Sequence, residues 1–96
     1  NTESVGELRK FAEILKSHPK ASIDISGYTD SSGNNSYNVK LSEFRANIVK
    51  GFLLGLGVAA NQMKIQGLGA QNPVARNDTE EGRRKNRRVE ITVISK

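Results

Sequence analysis

Apolar residues recur at helical spacing in the first part of the chain. Val5, Leu8, Phe11, Ala12 and Leu15 fall on one face of a helix over Ser4 to Ser17. Ser4 and Glu7 stand at capping-box spacing, which would satisfy two free donors at the helix start. His18-Pro19 ends the element, because proline disfavours helical geometry in the residue before it. His18 then reads as a solvated helix-end residue. From Ala21 to Gly27 the period changes to two. Ile23 and Ile25 face one way and Ser22, Asp24 and Ser26 the other, the mark of a half-buried strand. Tyr28 to Asn35 is dense in turn formers and reads as a loop.

Tyr37 to Leu56 returns to helical period. On a wheel, Phe44, Tyr37, Ile48, Leu41, Phe52, Leu56, Val49, Leu53 and Ala46 form one broad apolar arc. Gly57 suits the helix end. Met63 to Gly67 is a short strand, and Leu68 to Glu81 a long loop of the kind that usually serves function or is anchored by its own contacts. Gly82 to Arg87 is short and basic. Arg88 to Ile94 is the last strand, with Val89, Ile91 and Val93 on one face. Strand-helix-strand order favours parallel pairing, and the last strand can add antiparallel. The expected fold is α+β: a two-layer sandwich with helices on one face of a small mixed sheet.

Length and composition narrow the function classes. The chain has 96 residues, enough for one core and one domain, 1–96. No run of 18 apolar residues occurs. No basic-then-apolar leader stands in these residues, which leaves export open. Cysteine is absent and His18 is the only histidine, so thiol catalysis and Cys- or His-built metal sites are excluded. No cofactor site and no activated nucleophile are legible, and a binding module is expected in preference to an enzyme. The formal net charge of +5 suits a polyanionic partner without choosing among nucleic acid, anionic lipid and wall polymer.

Arg45 breaks the apolar pattern. It projects near the centre of the arc of the second helix, with Asn38 beside it. A buried unpaired charge costs several kcal/mol, so this guanidinium needs a partner, or must snorkel to water. It could equally serve as an anion receptor, its planar fork matching a carboxylate or phosphate. Asp30, in the loop just before, is the candidate internal partner, or else a turn residue bonding its own backbone. If Asp30 and Arg45 converge without full neutralisation, the site has an anionic and a cationic pole and suits a zwitterion such as an amino-acid head group. The tract Arg83, Arg84, Lys85, Arg87, Arg88 reads either as a solvated cluster balanced by Glu80, Glu81 and Glu90, or as a polyanion-binding surface. A nucleic-acid patch would normally bring exposed aromatics, which are scarce here. Gly67-Leu68-Gly69 lacks the third glycine and following helix of a dinucleotide loop.

Gly27-Tyr28-Thr29-Asp30, then Asn38, Leu41-Ser42, Arg45-Ala46, Gly57-Val58, Gly67-Leu68-Gly69, Pro73, Asn77, Thr79, Gly82-Arg83 and Asn86 to Ile91 resemble the OmpA-like domain. That family's pattern reads G-[HY]-T-D, N-x-x-L-S-x-x-R-A, G-x-G and G-R-x-x-N-R-R-V-E. The resemblance covers about Ala21 to Lys96, in order. It implies a βαβαβ-β topology and non-covalent peptidoglycan binding in the periplasm of a Gram-negative envelope, through the diaminopimelate residue of the stem peptide. Asp30 would meet the ammonium and Arg45 the side-chain carboxylate. Thr29, Asn38 and Leu41 would shape the pocket, and Asn86 and Arg88 would play more structural parts. Nucleic acid is not an implied partner, and membrane association would come only through parts outside this chain. Family members usually begin with a strand carrying an F-D-like motif. That strand is missing here, which implies a piece of a longer envelope protein and leaves a sheet edge open to association, two copies of the chain included. Tyr28 stands where histidine is commoner, which speaks against a catalytic base at that position.

Overall fold

The structure, a computed structural model, describes residues 2–95, with side chains from position 5 to 94. Helix α1 runs Thr2–Ser17, strand β1 Ser22–Gly27, helix α2 Asn35–Gly55, strand β2 Met63–Gly67, helix α3 Glu80–Asn86 and strand β3 Val89–Ser95. A single 3-10 turn at Ala60–Gln62 leads into β2. The sheet order is β2-β1-β3, with β1 parallel to β2 and antiparallel to β3. The expected α+β two-layer arrangement is the one observed.

Alternation decides which face of the sheet is covered. Ile23 and Ile25 of β1 pair with Met63 and Ile65 of β2, and with Val93 and Ile91 of β3. They pack under α1 and α2 with Ala12, Leu15, Ala46, Leu53 and Val58. Ile23, Ile25 and Leu53 are wholly buried, each contributing roughly 1.5–3 kcal/mol. The other face carries Asp24, Lys64, Gln66 and Thr92 around a network in which Ser26 and Gln66 donate to Asp24.

Three sequence expectations are corrected. Helix α1 begins at Thr2, so Ser4 lies inside the first turn and not at its cap; the side chain of Ser4 is outside the described residues. The stretch read as loop and short basic segment holds α3. Thr79 caps it, its hydroxyl accepting from the Gly82 amide at 3.0 Å, and Glu80 and Glu81 precede Arg83, Arg84 and Lys85 in the order the helix dipole favours. The third correction concerns α2. Its buried face is Asn38, Ser42, Ala46 and Leu53, whereas Tyr37, Phe44 and Ile48 stand about 60% exposed. The helix is rotated relative to the centre of the apolar arc.

Backbone proximity explains the rotation. A Cβ on Gly27 would lie 1.9 Å from the Ser42 carbonyl oxygen, and one on Gly67 2.5 Å from that of Val39. The helix rests on the sheet at two glycines, and only small or compact polar side chains fit beneath it. Ser42 fills this contact, donating to the Val39 carbonyl at 2.8 Å and accepting the Gly69 amide at 2.9 Å. The close approach brings the first two turns of α2 against the carboxyl end of β1.

Candidate functional site

The site is built where β1 ends. The Tyr28 amide donates to the Arg88 carbonyl and the Thr29 amide to the Gly69 carbonyl, both at 2.8 Å. The strand direction is thereby carried through to Asp30, which is buried with Thr29. The Thr29 hydroxyl donates to the Asp30 carbonyl at 2.9 Å. Beyond it the chain turns into α2, with the Asn34 side chain accepting from the Tyr37 amide as N-cap at 2.7 Å. The Asn38 side chain, one turn in, donates to the Ser32 carbonyl at 2.8 Å. Thr29 and Asn38 therefore hold the shape of this loop, and half-buried Leu41 lies one turn along α2 from Tyr37.

Arg45 is half-buried two turns into α2 from Asn38. Its guanidinium donates to the Tyr28 carbonyl at 3.3 Å and pairs with no carboxylate among the described residues. Asp30 is not its ion-pair partner. The Asp30 carboxylate is held instead by the Ser32 amide at 2.8 Å and by Arg87 at 2.6 Å. Arg87 reaches on to Glu80 at 2.9 Å. The site thus joins an engaged carboxylate to a guanidinium that still has donors to spend, on two elements bridged through Tyr28. Such an arrangement can receive an anion at Arg45 while Asp30 offers lone pairs to a cation.

Burial pushes the Asp30 carboxyl up, but the Ser32 amide and the Arg87 guanidinium outweigh it and hold the group below its ordinary value. Glu80 is lowered by Arg87, and Arg87 is raised by Glu80 and Asp30. A carboxylate with a depressed folded-state pKa stabilises the fold above its unfolded value, and that contribution disappears as pH falls through the folded value. Stability is therefore expected to drop on acidification below about pH 4. Thermal melts from pH 6 to pH 2 should show a shallower decline for Asp30→Asn than for the parent. Parallel profiles would refute a role for the Asp30 pair in stability.

Asn86, the last residue of α3, is wholly buried, and its side chain reaches into the long loop. Its Oδ1 accepts the Val74 and Ala75 amides at 2.8 and 3.0 Å, and its Nδ2 donates to the Ala75 carbonyl and the Asn77 Oδ1 at 3.0 and 2.9 Å. Asn77 Oδ1 also accepts the Ser31 amide at 3.2 Å, which ties the long loop to the site loop. Arg88 lies over the Tyr28 ring, 3.8 Å from its centroid, and bonds Glu90 at 2.7 Å and the Asn72 carbonyl at 2.8 Å. In the basic tract Arg83, Lys85, Arg87 and Arg88 each meet an acidic side chain. Sequence reasoning missed the part played by Arg87, although the residue stood within the basic tract and the quoted family pattern.

Comparison with known proteins agrees with the fold. The OmpA family model matches residues 1–87, and the chain belongs to that family. It is 48% identical over 86 residues to the probable lipoprotein YiaD of Escherichia coli, covering 90% of this chain and 39% of that protein. It is 49% identical over 86 residues to the peptidoglycan-binding protein ArfA of Mycobacterium bovis, covering 90% of this chain and 26% of the relative. The crystal structure of the peptidoglycan-associated lipoprotein from Burkholderia pseudomallei superposes with a TM-score of 0.93 at 36% identity, covering 98% of this chain and 80% of that one. The chain thus spans well under half the length of both curated relatives.

Proposed function

We propose that this domain binds peptidoglycan non-covalently, through the diaminopimelate residue of the stem peptide, and anchors a longer envelope protein to the wall in the periplasm. The observation that carries the reading is Arg45, a half-buried guanidinium facing the Asp30 loop with a backbone carbonyl as its hydrogen-bond partner and no carboxylate among the described residues. A side-chain amino-acid head group supplies what the two poles lack. Its carboxylate takes the fork of Arg45, and its ammonium takes lone pairs of Asp30. Thr29, Asn38 and Leu41 keep the loop and helix in register. Asn86 and Arg88 act through the fold: one fastens the long loop, the other covers Tyr28. The names of two relatives, a peptidoglycan-binding protein and a peptidoglycan-associated lipoprotein, support the wall as partner.

A polyanion-binding surface at Arg83 to Arg88 is the weaker reading, because four of its five cations are already engaged with acidic neighbours. Co-sedimentation with insoluble sacculi separates the two. The domain should pellet with diaminopimelate-type walls and not with lysine-type walls, and Asp30→Asn should weaken binding by about 1.5–3 kcal/mol, the scale of a lost charged hydrogen bond. Equal pelleting with both walls, stripped by modest salt and indifferent to Asp30, would transfer the binding to the basic surface.

A further inference from the structure

Asp30 is not a bare anion. Its Oδ1 accepts the Ser32 amide and its Oδ2 accepts Arg87 Nη1 at 2.6 Å, so one unit of positive charge already stands against the buried carboxylate. Arg45 adds a second guanidinium from the α2 side, docked on the Tyr28 carbonyl two residues before Asp30. Glu80 offsets part of the Arg87 charge at 2.9 Å, but it is over half exposed and screened by water, whereas the Asp30 side chain is only 11% exposed. The site therefore holds one carboxylate paired with Arg87, and a second guanidinium, Arg45, on the carbonyl two residues before it.

This arrangement treats two ligands differently. A lone ammonium, such as a lysine side chain, would approach a carboxylate already paired with Arg87, and would meet the charge of Arg45, which pairs with no carboxylate among the described residues. An amino-acid head group brings its own carboxylate, which cancels Arg45 and lets the ammonium share Asp30 with Arg87. Discrimination arises as much from what repels the wrong ligand as from what attracts the right one. We infer that Arg87 is a specificity-determining residue, which makes the Asp30 pole accept an ammonium only when a carboxylate arrives with it. The inference rests on the pocket reading given under Proposed function. Glu80 tunes the effect, because its carboxylate shares the Arg87 charge through the second guanidinium nitrogen.

The test is a pair of calorimetric titrations of the 96-residue chain. One uses the tripeptide L-alanyl-γ-D-glutamyl-meso-diaminopimelate and the other its L-lysine counterpart. The parent should favour the first. Arg87→Gln keeps a donor toward Asp30 but removes the charge, and should narrow the affinity ratio about five- to tenfold, chiefly by admitting the lysine peptide. Arg87→Lys should restore most of the ratio. Glu80→Gln, at an exposed position, should move the ratio the other way. A purely structural clamp would weaken both peptides alike, so a ratio unchanged in a folded Arg87→Gln overturns the inference and leaves the pocket standing. If that variant does not fold, a ratio unchanged in Glu80→Gln overturns it equally. Failure of the parent to bind either peptide would remove the pocket reading and the inference together.

Discussion

Arg45→Ala is expected to abolish pelleting with diaminopimelate-type sacculi while leaving the domain folded. The side chain is half-buried, and its one hydrogen bond among the described residues is a long one to the Tyr28 carbonyl. Losing that bond costs about 1 kcal/mol, a shift of several degrees in melting temperature for a domain of this size. The ligand loses far more. A carboxylate drawn into a half-buried site with its partner guanidinium removed forfeits about 2–5 kcal/mol, or roughly 30-fold to several-thousand-fold in affinity. Sedimentation and a thermal melt on the same preparation check both halves. A collapse of the melting transition would make Arg45 a structural cation and remove the carboxylate pole from the site.

Asn86→Ala should be the most damaging polar truncation for stability. Four hydrogen bonds converge on one wholly buried amide, and they gather Val74, Ala75 and Asn77 from the long loop. Alanine leaves two loop amides and a carbonyl without partners, at a cost of about 3 kcal/mol and roughly 10–20 °C in melting temperature. Asn86→Asp keeps both acceptor bonds but sets a buried carboxylate oxygen against the Ala75 carbonyl and the Asn77 Oδ1, so it should be no milder than Asn86→Ala. Binding should weaken with Asn86→Ala as well, because Asn77 also holds the Ser31 amide beside Asp30. A loss under about 1 kcal/mol, measured by urea or thermal unfolding, would show that the loop is held by other means.

What could be read in advance follows from how local the signal is. The alternation around Ile23 and Ile25 and the helical periods on either side each need only neighbours in sequence, and the fold class came out of them. The carboxyl end of β1 and Arg45 stood out because a charge in an apolar arc is a local contradiction. The facing of α2 was not local. Asn38 and Ser42 occupy its buried side because the opposing strands present glycine, and a wheel drawn on one helix carries no trace of Gly27 or Gly67. Helix α3 was hidden for a different reason. It has seven residues and not one apolar side chain, so its only signals are the Thr79 cap and the order of its charges. Arg87 was the hardest to find. One of its two carboxylate partners, Asp30, lies 57 positions earlier, and nothing in a basic run says which cation crosses that distance. Gln62 is similar: buried, it donates to the carbonyls of Leu15, His18 and Ala21 more than forty residues upstream.

The central place of β1 in the sheet has a kinetic side. Both edges of this early strand wait for later sequence: β2 begins some forty residues on, and β3 starts only at Val89. Neither pairing is a hairpin, so each closes a long loop before it gains any contact, which places the domain among the slower-folding small proteins, in the millisecond-to-second range. A chain still emerging from the ribosome, or threading through a pore amino end first, could form its helices but not close this sheet. Asp30 would acquire Arg87 only once the sequence through α3 was available, so the pair that holds this carboxylate forms late.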